Sequence, residues 1–112
     1  MQWRTMTSIT KERMEKAMDF LAETDEILAQ LKTNVRRAEY LLKRKEAHAF
    51  LSIEGSVKLR ESAARVETDV VEAYDAHTDA MEQYEIVAAK RETEALVIDV
   101  WRSLESSRRQ GQ

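Results

Sequence analysis

The single internal glycine of this chain, Gly55, constrains its fold more than any other residue. The 112-residue sequence contains no proline and only two glycines, and the second, Gly111, is next to last. Glycine adopts backbone angles that other residues avoid, so it commonly ends a helix and lets the chain reverse. The sequence therefore predicts two long helices, at about 11–52 and about 57–107, joined by a turn at about 53–56.

The first predicted helix has a repeat of seven residues. One heptad position is almost wholly apolar and comprises Met14, Leu21, Leu28, Val35, Leu42 and Ala49. The position three residues later is more mixed and comprises Ala17, Thr24, Leu31, Ala38, Lys45 and Ser52. A sustained seven-residue repeat is typical of helices that coil around one another. Thr10 is a suitable N-cap, because its hydroxyl can accept from the free amides of the first turn.

The second predicted helix repeats this pattern with more polar interruptions. Its clearest heptad position comprises Ala63, Val70, His77, Tyr84, Arg91 and Ile98. A break near Thr78 stays open, since nothing there forces one. We expect an all-α fold, a long antiparallel helical hairpin resembling a coiled coil. A single domain at 10–109 would follow a flexible arm at 1–9 and precede a tail at 110–112.

The apolar stripe is wider than the contact between two helices requires. Two rods packed only on each other would leave much of that stripe in water, so we expect further copies of the chain to cover it. We therefore predict that the chain forms a homo-oligomer. The residues expected to form its contacts are Phe20, Leu21, Ile27, Leu28, Leu31, Val35, Leu42, Val70, Tyr74, Met81, Tyr84 and Trp101.

No catalytic or metal-binding motif is recognisable in the sequence. There is no cysteine, and the residues three before His48 and His77 are Lys45 and Tyr74, not the glutamates of a di-iron bundle. A glycine-rich phosphate loop and a nucleophile elbow are also missing. We therefore expect a protein that is not an enzyme and that needs neither cofactor nor metal. His77 is interpreted as a core residue.

Composition and hydropathy bear on the compartment. With 43% hydrophobic and 35% charged residues, the chain is too apolar for a disordered tail and typical of long helices. No apolar stretch approaches the roughly 20 residues that span a bilayer, and the start lacks the apolar core of a signal peptide. We expect a cytoplasmic protein without a membrane partner.

Basic side chains concentrate in the middle of the chain. Residues 32–65 carry nine basic and four acidic side chains. A cluster of this kind attracts nucleic-acid phosphates without reading base sequence. The alternative is a solvated coiled-coil surface. The candidate nucleic-acid contacts are Arg36, Arg37, Lys43, Arg44, Lys45, Lys58, Arg60 and Arg65.

Acidic side chains follow in the second helix, where residues 66–99 carry ten acidic and two basic side chains. Six of them form one stripe, which could bind cations or a basic partner. We favour a solvated face, or a pairing of the stripe with Arg36 and Arg37, since a turn near residue 54 would place Glu72 beside Arg36. For Trp101, beside Arg102, we favour helix packing over base stacking. The stripe comprises Asp69, Glu72, Asp75, Asp79, Glu82 and Glu85.

The stretch from Arg36 to Ala49 leads through a short Gly/Ser turn into a second charged helix, which ends in a Trp-containing segment with a basic tail. Over roughly residues 20–109 this organisation resembles the UvsY-like phage recombination mediators. The resemblance implies an oligomer that binds single-stranded DNA and helps load a recombinase onto strands covered by single-strand-binding protein. It also implies the host cell cytoplasm, and DNA contacts at the basic positions between 36 and 65.

Two other classes of protein stay open. One is a structural coiled-coil assembly or adaptor protein without nucleic-acid contact. The other is a small secreted helical hairpin of the WXG type, which has a similar length and a central turn. In this chain Ile53-Glu54-Gly55 stands where Trp-x-Gly would be expected, so the defining tryptophan is missing.

Overall fold

The computed structural model describes residues 9–111 of the chain. It contains three helices, α1 (Lys11–Ser52), α2 (Val57–Ala64) and α3 (Thr68–Gln110), and no strand within those residues. α1 and α3 run antiparallel and pack against each other. The predicted all-α helical hairpin is therefore confirmed. None of these helices combines the length and the low charge needed to span a bilayer.

α1 begins where the sequence predicts. The Arg13 amide donates to Thr10 Oγ1 over 3.1 Å, and the Met14 amide donates to the Thr10 carbonyl over 3.0 Å. Thr10 is thus the N-cap, and Glu12 lies in the first turn, where a carboxylate complements the positive end of the helix dipole. The helix continues to Ser52, which matches the predicted range 11–52.

The chain reverses over a longer segment than predicted, because α2 is inserted after the turn. Gly55 has a φ of 125°, a conformation that side-chain-bearing residues rarely adopt. Ser56 then caps α2, with its Oγ accepting from the Leu59 amide over 3.2 Å. The single helix predicted at 57–107 is therefore wrong. It is two helices separated at 65–67.

Burial explains the break between α2 and α3. Ala64 and Val70 are both only 5% exposed. In one continuous helix, residues six apart would point in directions about 120° apart. The break allows both residues to be buried: Ala64 lines a hollow together with Phe50, and Val70 lines one together with Leu42. α3 is itself continuous through Thr78, where the sequence left a break open.

The residues predicted as one domain form two compact units. Unit 1 combines α1 up to Leu28 with α3 from Ile86 onward. Ile9 belongs to its packing, while the rest of the predicted arm lies outside the described residues. Trp101 also packs here, which confirms the predicted packing role. The core of unit 1 and the residues against it are Met14, Ala17, Val97 and Ile98, with Ile9, Leu21 and Trp101.

Two arginines connect α1 and α3 within unit 1. Arg13 Nη2 lies 2.6 Å from Glu94 Oε2, and this hydrogen bond raises the pKa of Arg13 above its ordinary value. Arg91 Nη1 donates to the Leu21 carbonyl over 2.7 Å, and its Nη2 donates to Asp25 Oδ1 over 2.6 Å. Arg91 occupies a predicted core position, so its role is to bind α1 rather than to remain in solvent.

Unit 2, Ala29–Glu85, has a thin core. Its buried side chains are the small residues Ala64, Val70 and Ala73, and the heptad residues of α1 here are only half-buried. Many larger apolar side chains of the unit are exposed, which is unusual for a packed protein surface. They are Tyr40, Leu41, Leu51, Val57, Leu59, Val66, Val71, Tyr74 and Met81.

Candidate nucleic-acid interface

Five side chains on the outside of α1 place cations around an aromatic ring. Their spacing of three and four residues puts them on successive turns of one side of the helix. All five are exposed. We call this surface the outer ridge, and it comprises Arg36, Arg37, Tyr40, Lys43 and Arg44.

Tyr40 is the centre of the outer ridge. Its side chain is 67% exposed, and the Arg44 guanidinium carbon lies 5.8 Å from the ring centroid. A cation over an exposed ring contributes only about 0.5–1 kcal/mol, so this contact leaves the ring accessible. Tyr40 was missing from the predicted site, because the prediction selected basic residues alone. Its outward heptad position one turn from Arg36 and Arg44 was the available signal.

Lys43 is the one lysine of the outer ridge, and it is paired within α1. Its Nζ lies 3.1 Å from Glu39 Oε1. This hydrogen bond and the charge of Lys43 lower the pKa of Glu39. Both partners are largely exposed, so the pair contributes little to stability.

Lys45 and Arg60 lie off the outer ridge. Lys45 Nζ is 3.7 Å from Asp69 Oδ2 on α3, and the Asp69 side chain is 72% exposed. The Arg60 guanidinium stacks 4.1 Å from the Phe50 ring centroid, and its Nε donates to the Phe50 carbonyl over 3.1 Å. The structure therefore gives both predicted nucleic-acid contacts an internal partner.

Lys58 and Arg65 are exposed but belong to α2 and the residue after it. Arg65 lines a hollow that also includes Glu46 and Tyr74. Arg44 lines a different hollow, on the opposite side of α1, together with His48. Of the eight predicted basic residues, Arg36, Arg37, Lys43 and Arg44 lie on the outer ridge, and the other four lie off it.

The predicted pairing of Glu72 with Arg36 is wrong. Glu72 instead lies in a hollow with Leu41 and Lys45. The prediction placed the reversal at residue 54 alone, whereas α2 lengthens the reversal and shifts the register of α3 along α1. Within residues 9–111, Asp69 is the member of the acidic stripe that forms an ion pair, and its partner is Lys45.

The predicted oligomer contacts fall into three groups. Val70 is buried within its own unit, at 5% exposed, and Leu21 and Trp101 pack on the core of unit 1. The exposed members are Ile27, Tyr74 and Met81, at 49%, 59% and 39%. The half-buried remainder comprises Phe20, Leu28, Leu31, Val35, Leu42 and Tyr84.

The part of the chain that the structure describes contains no group of three His, Cys, Asp or Glu side chains arranged to hold a metal ion. His77 is half-buried on the inner side of α3, and His48 is exposed. The outer ridge combines exposed basic side chains with an exposed aromatic ring. Its cations and its aromatic ring suit the phosphates and the bases of a single strand.

No protein family model, curated protein or solved structure matches this chain.

Proposed function

We propose that the chain is an oligomeric, non-enzymatic accessory protein that binds single-stranded DNA through the outer ridge. The observation that supports this most is the 67% exposed ring of Tyr40 between two turns of arginine. An exposed ring at a helix surface is available for base stacking, which is sequence-tolerant and contributes about 1–3 kcal/mol per base.

The arginines of the outer ridge would add contacts to the phosphates of the strand. Arg36 and Arg37 form no ion pair within residues 9–111, and Arg44 contacts only Tyr40 among the aromatic rings described there. Their charges can therefore neutralise backbone phosphates and release counterions. In an oligomer several copies of the ridge would engage one strand, so weak individual contacts would add up to useful affinity.

Loading of a recombinase is the role within this proposal that rests on the resemblance to UvsY-like mediators. It requires binding of the strand and of a recombinase or single-strand-binding protein at the same time. A recombinase filament assay on strands coated with single-strand-binding protein tests that role separately. Faster filament growth in the presence of the chain supports it.

The experiment for strand binding is a fluorescence anisotropy titration of labelled oligothymidylate. Arg37→Glu with Arg44→Glu inverts two ridge charges, and Lys16→Glu with Lys90→Glu is the matched control, since both lysines are exposed in unit 1. The proposal expects the ridge variant to lose binding and the control to keep most of it. Equal affinity of the two variants would remove the ridge from the proposal.

A structural adaptor without nucleic-acid contact is the second candidate. It is favoured by the exposed apolar side chains of unit 2, which suit protein contacts. This function predicts that the unmodified chain does not bind the labelled strand even at low ionic strength, where electrostatic binding is strongest. The same titration therefore distinguishes the two functions.

A further inference from the structure

Within residues 9–111, an apolar stripe on α3 of unit 2 is largely exposed. Val71, Tyr74 and Met81 are 43%, 59% and 39% exposed. Spacings of three and seven residues place them on one side of the helix. Val71 and Tyr74 continue into a hollow that reaches α1 at Leu42 and Glu46. We call the three exposed residues the α3 stripe.

Charge in unit 2 is divided between the helices. The α1 segment 29–52 carries six basic and two acidic side chains, whereas the α3 segment 68–85 carries six acidic and none that is basic. Asp75 and Glu82 follow Tyr74 and Met81 by one residue, so they border the α3 stripe. On α1, residue spacing places Arg36 and Lys43 on the same side of the helix as Glu46 but farther from α3 of the same chain.

This division of charge selects what can cover the α3 stripe. A second α3 would bring acidic side chains against acidic side chains, which opposes association. The α1 of a second copy would bring Arg36 and Lys43 against Asp75 and Glu82 while burying the apolar residues between them. We propose that the α3 stripe is covered by α1 of a second copy, with a two-fold axis along the helices so that each α3 is covered by the other α1.

This arrangement is compatible with binding of a strand. Arg36 and Lys43 would then face the second copy. Arg44 lines the hollow on the opposite side of α1, so Arg37, Tyr40 and Arg44 are the part of the outer ridge that stays exposed to the strand. This pairing of α1 with α3 is the contact that would form the oligomer of the proposed function. The inference rests on the proposed function only in giving that oligomer a purpose. The two can fail separately.

The first test measures molar mass by light scattering behind size exclusion. The unmodified chain should have at least twice the 13.0 kDa mass of one chain. Tyr74→Glu with Met81→Glu should reduce the mass to that of one chain. The matched control is Met18→Glu with Leu96→Glu, whose side chains in unit 1 are each 51% exposed. The control should keep the oligomer mass.

The second test identifies the helix that makes the contact. One variant carries Arg36→Glu and Lys43→Glu, and the other carries Asp75→Lys and Glu82→Lys. Each variant on its own should have the molar mass of one chain, because a pair of identical copies would bring like charges together. An equimolar mixture should recover the molar mass of a pair. The acidic α1 of the first variant then meets the basic α3 of the second, and the basic α1 of the second meets the acidic α3 of the first. Circular dichroism checks that both variants remain helical before they are mixed.

Three results would overturn the inference. The first is a molar mass of one chain for the unmodified protein at tens of micromolar. The second is an unchanged oligomer mass for Tyr74→Glu with Met81→Glu. The third is a mixture of two helical charge variants that stays at the mass of one chain. Loss of strand binding by Arg37→Glu with Arg44→Glu at unchanged mass supports both proposals. A monomer that binds the strand overturns this inference and the oligomeric part of the proposed function, and it leaves strand binding by the outer ridge standing.

Discussion

Arg91 Nη1 donates to Thr24 Oγ1 over 2.6 Å, and this contact places a guanidinium against one of the least exposed side chains of α1. Thr24 is 9% exposed, and its own hydroxyl donates to the Phe20 carbonyl over 2.6 Å. Among the described residues no buried side-chain polar atom lacks a partner. Two polar residues at core positions of the heptad are thus satisfied by each other, so the helices can pack around them.

Replacing Arg91 should weaken unit 1. Arg91→Met keeps the length of the side chain and removes the hydrogen bonds to Leu21, Thr24 and Asp25. Because hydrogen bonds from a charged donor contribute more than neutral ones, we expect a loss of about 1–3 kcal/mol in the free energy of unfolding. Urea unfolding followed by circular dichroism measures it. Arg102→Met, at an exposed position of the same helix, should change that energy little.

Gly55 should tolerate no side chain. A Cβ at this position would lie 2.8 Å from Leu59 Cδ2, and the φ of 125° is strained for any residue that carries one. We expect Gly55→Ala to destabilise the protein by roughly 1–3 kcal/mol.

The double variant Gly55→Ala with Leu59→Ala separates the two causes, because it removes the steric contact and keeps the backbone strain. Thermal unfolding of the single and double variants measures the effect. A Gly55→Ala protein as stable as the unmodified chain would show that the turn differs from the one described. Gly111→Ala, at the end of the chain, is the control.

Arg60 should hold α2 in place. Its guanidinium stacks on Phe50 at 4.1 Å and its Nε bonds the Phe50 carbonyl, so Arg60→Met removes both contacts. We expect faster hydrogen exchange of the amides in Val57–Ala64 with little change in unit 1, because a short helix depends on its tertiary contacts. Lys58→Met is the control on the same helix. If neither variant changes the exchange rates of the α2 amides, then contacts other than those of Arg60 stabilise α2.

Glu39 should titrate below the ordinary glutamate range, since the hydrogen bond from Lys43 lowers its pKa. A carboxyl with a lowered pKa in the folded state stabilises the fold above the pKa of the unfolded chain. That stabilisation is lost as the pH falls through the folded pKa. Lys43→Met should raise the Glu39 pKa toward the ordinary value, and Lys45→Met should leave it unchanged. A carboxyl-detected NMR titration measures both, and a Glu39 pKa unaffected by Lys43→Met would contradict the ion pair.

The limits of α1 could be predicted because several local signals agree there. Thr10 supplies a cap, the heptad repeat runs without a skip from Met14 to Ala49, and Gly55 follows shortly after the end. The break at 65–67 had no such signal, since Arg65, Val66 and Glu67 are all compatible with a helix. It results from the burial of Ala64 and Val70 on their neighbours, which is a tertiary effect.

The candidate site was predictable only in part. The concentration of basic side chains between residues 32 and 65 pointed to the arginines of the outer ridge. It could not identify Lys45 and Arg60 as internal contacts, since their partners Asp69 and Phe50 are set by how the chain reverses. Tyr40 was passed over because an outward tyrosine on a helix gains meaning only from the cations around it.

The most direct test of the account is the affinity of Tyr40 variants for labelled oligothymidylate at low ionic strength. Loss of one stacking contact corresponds to roughly 5- to 150-fold weaker binding, which is the result expected for Tyr40→Ala. Tyr40→Phe keeps the ring and should bind as the unmodified chain does. Equal affinity of Tyr40→Ala and the unmodified chain, at equal oligomer mass, would contradict strand binding by the outer ridge.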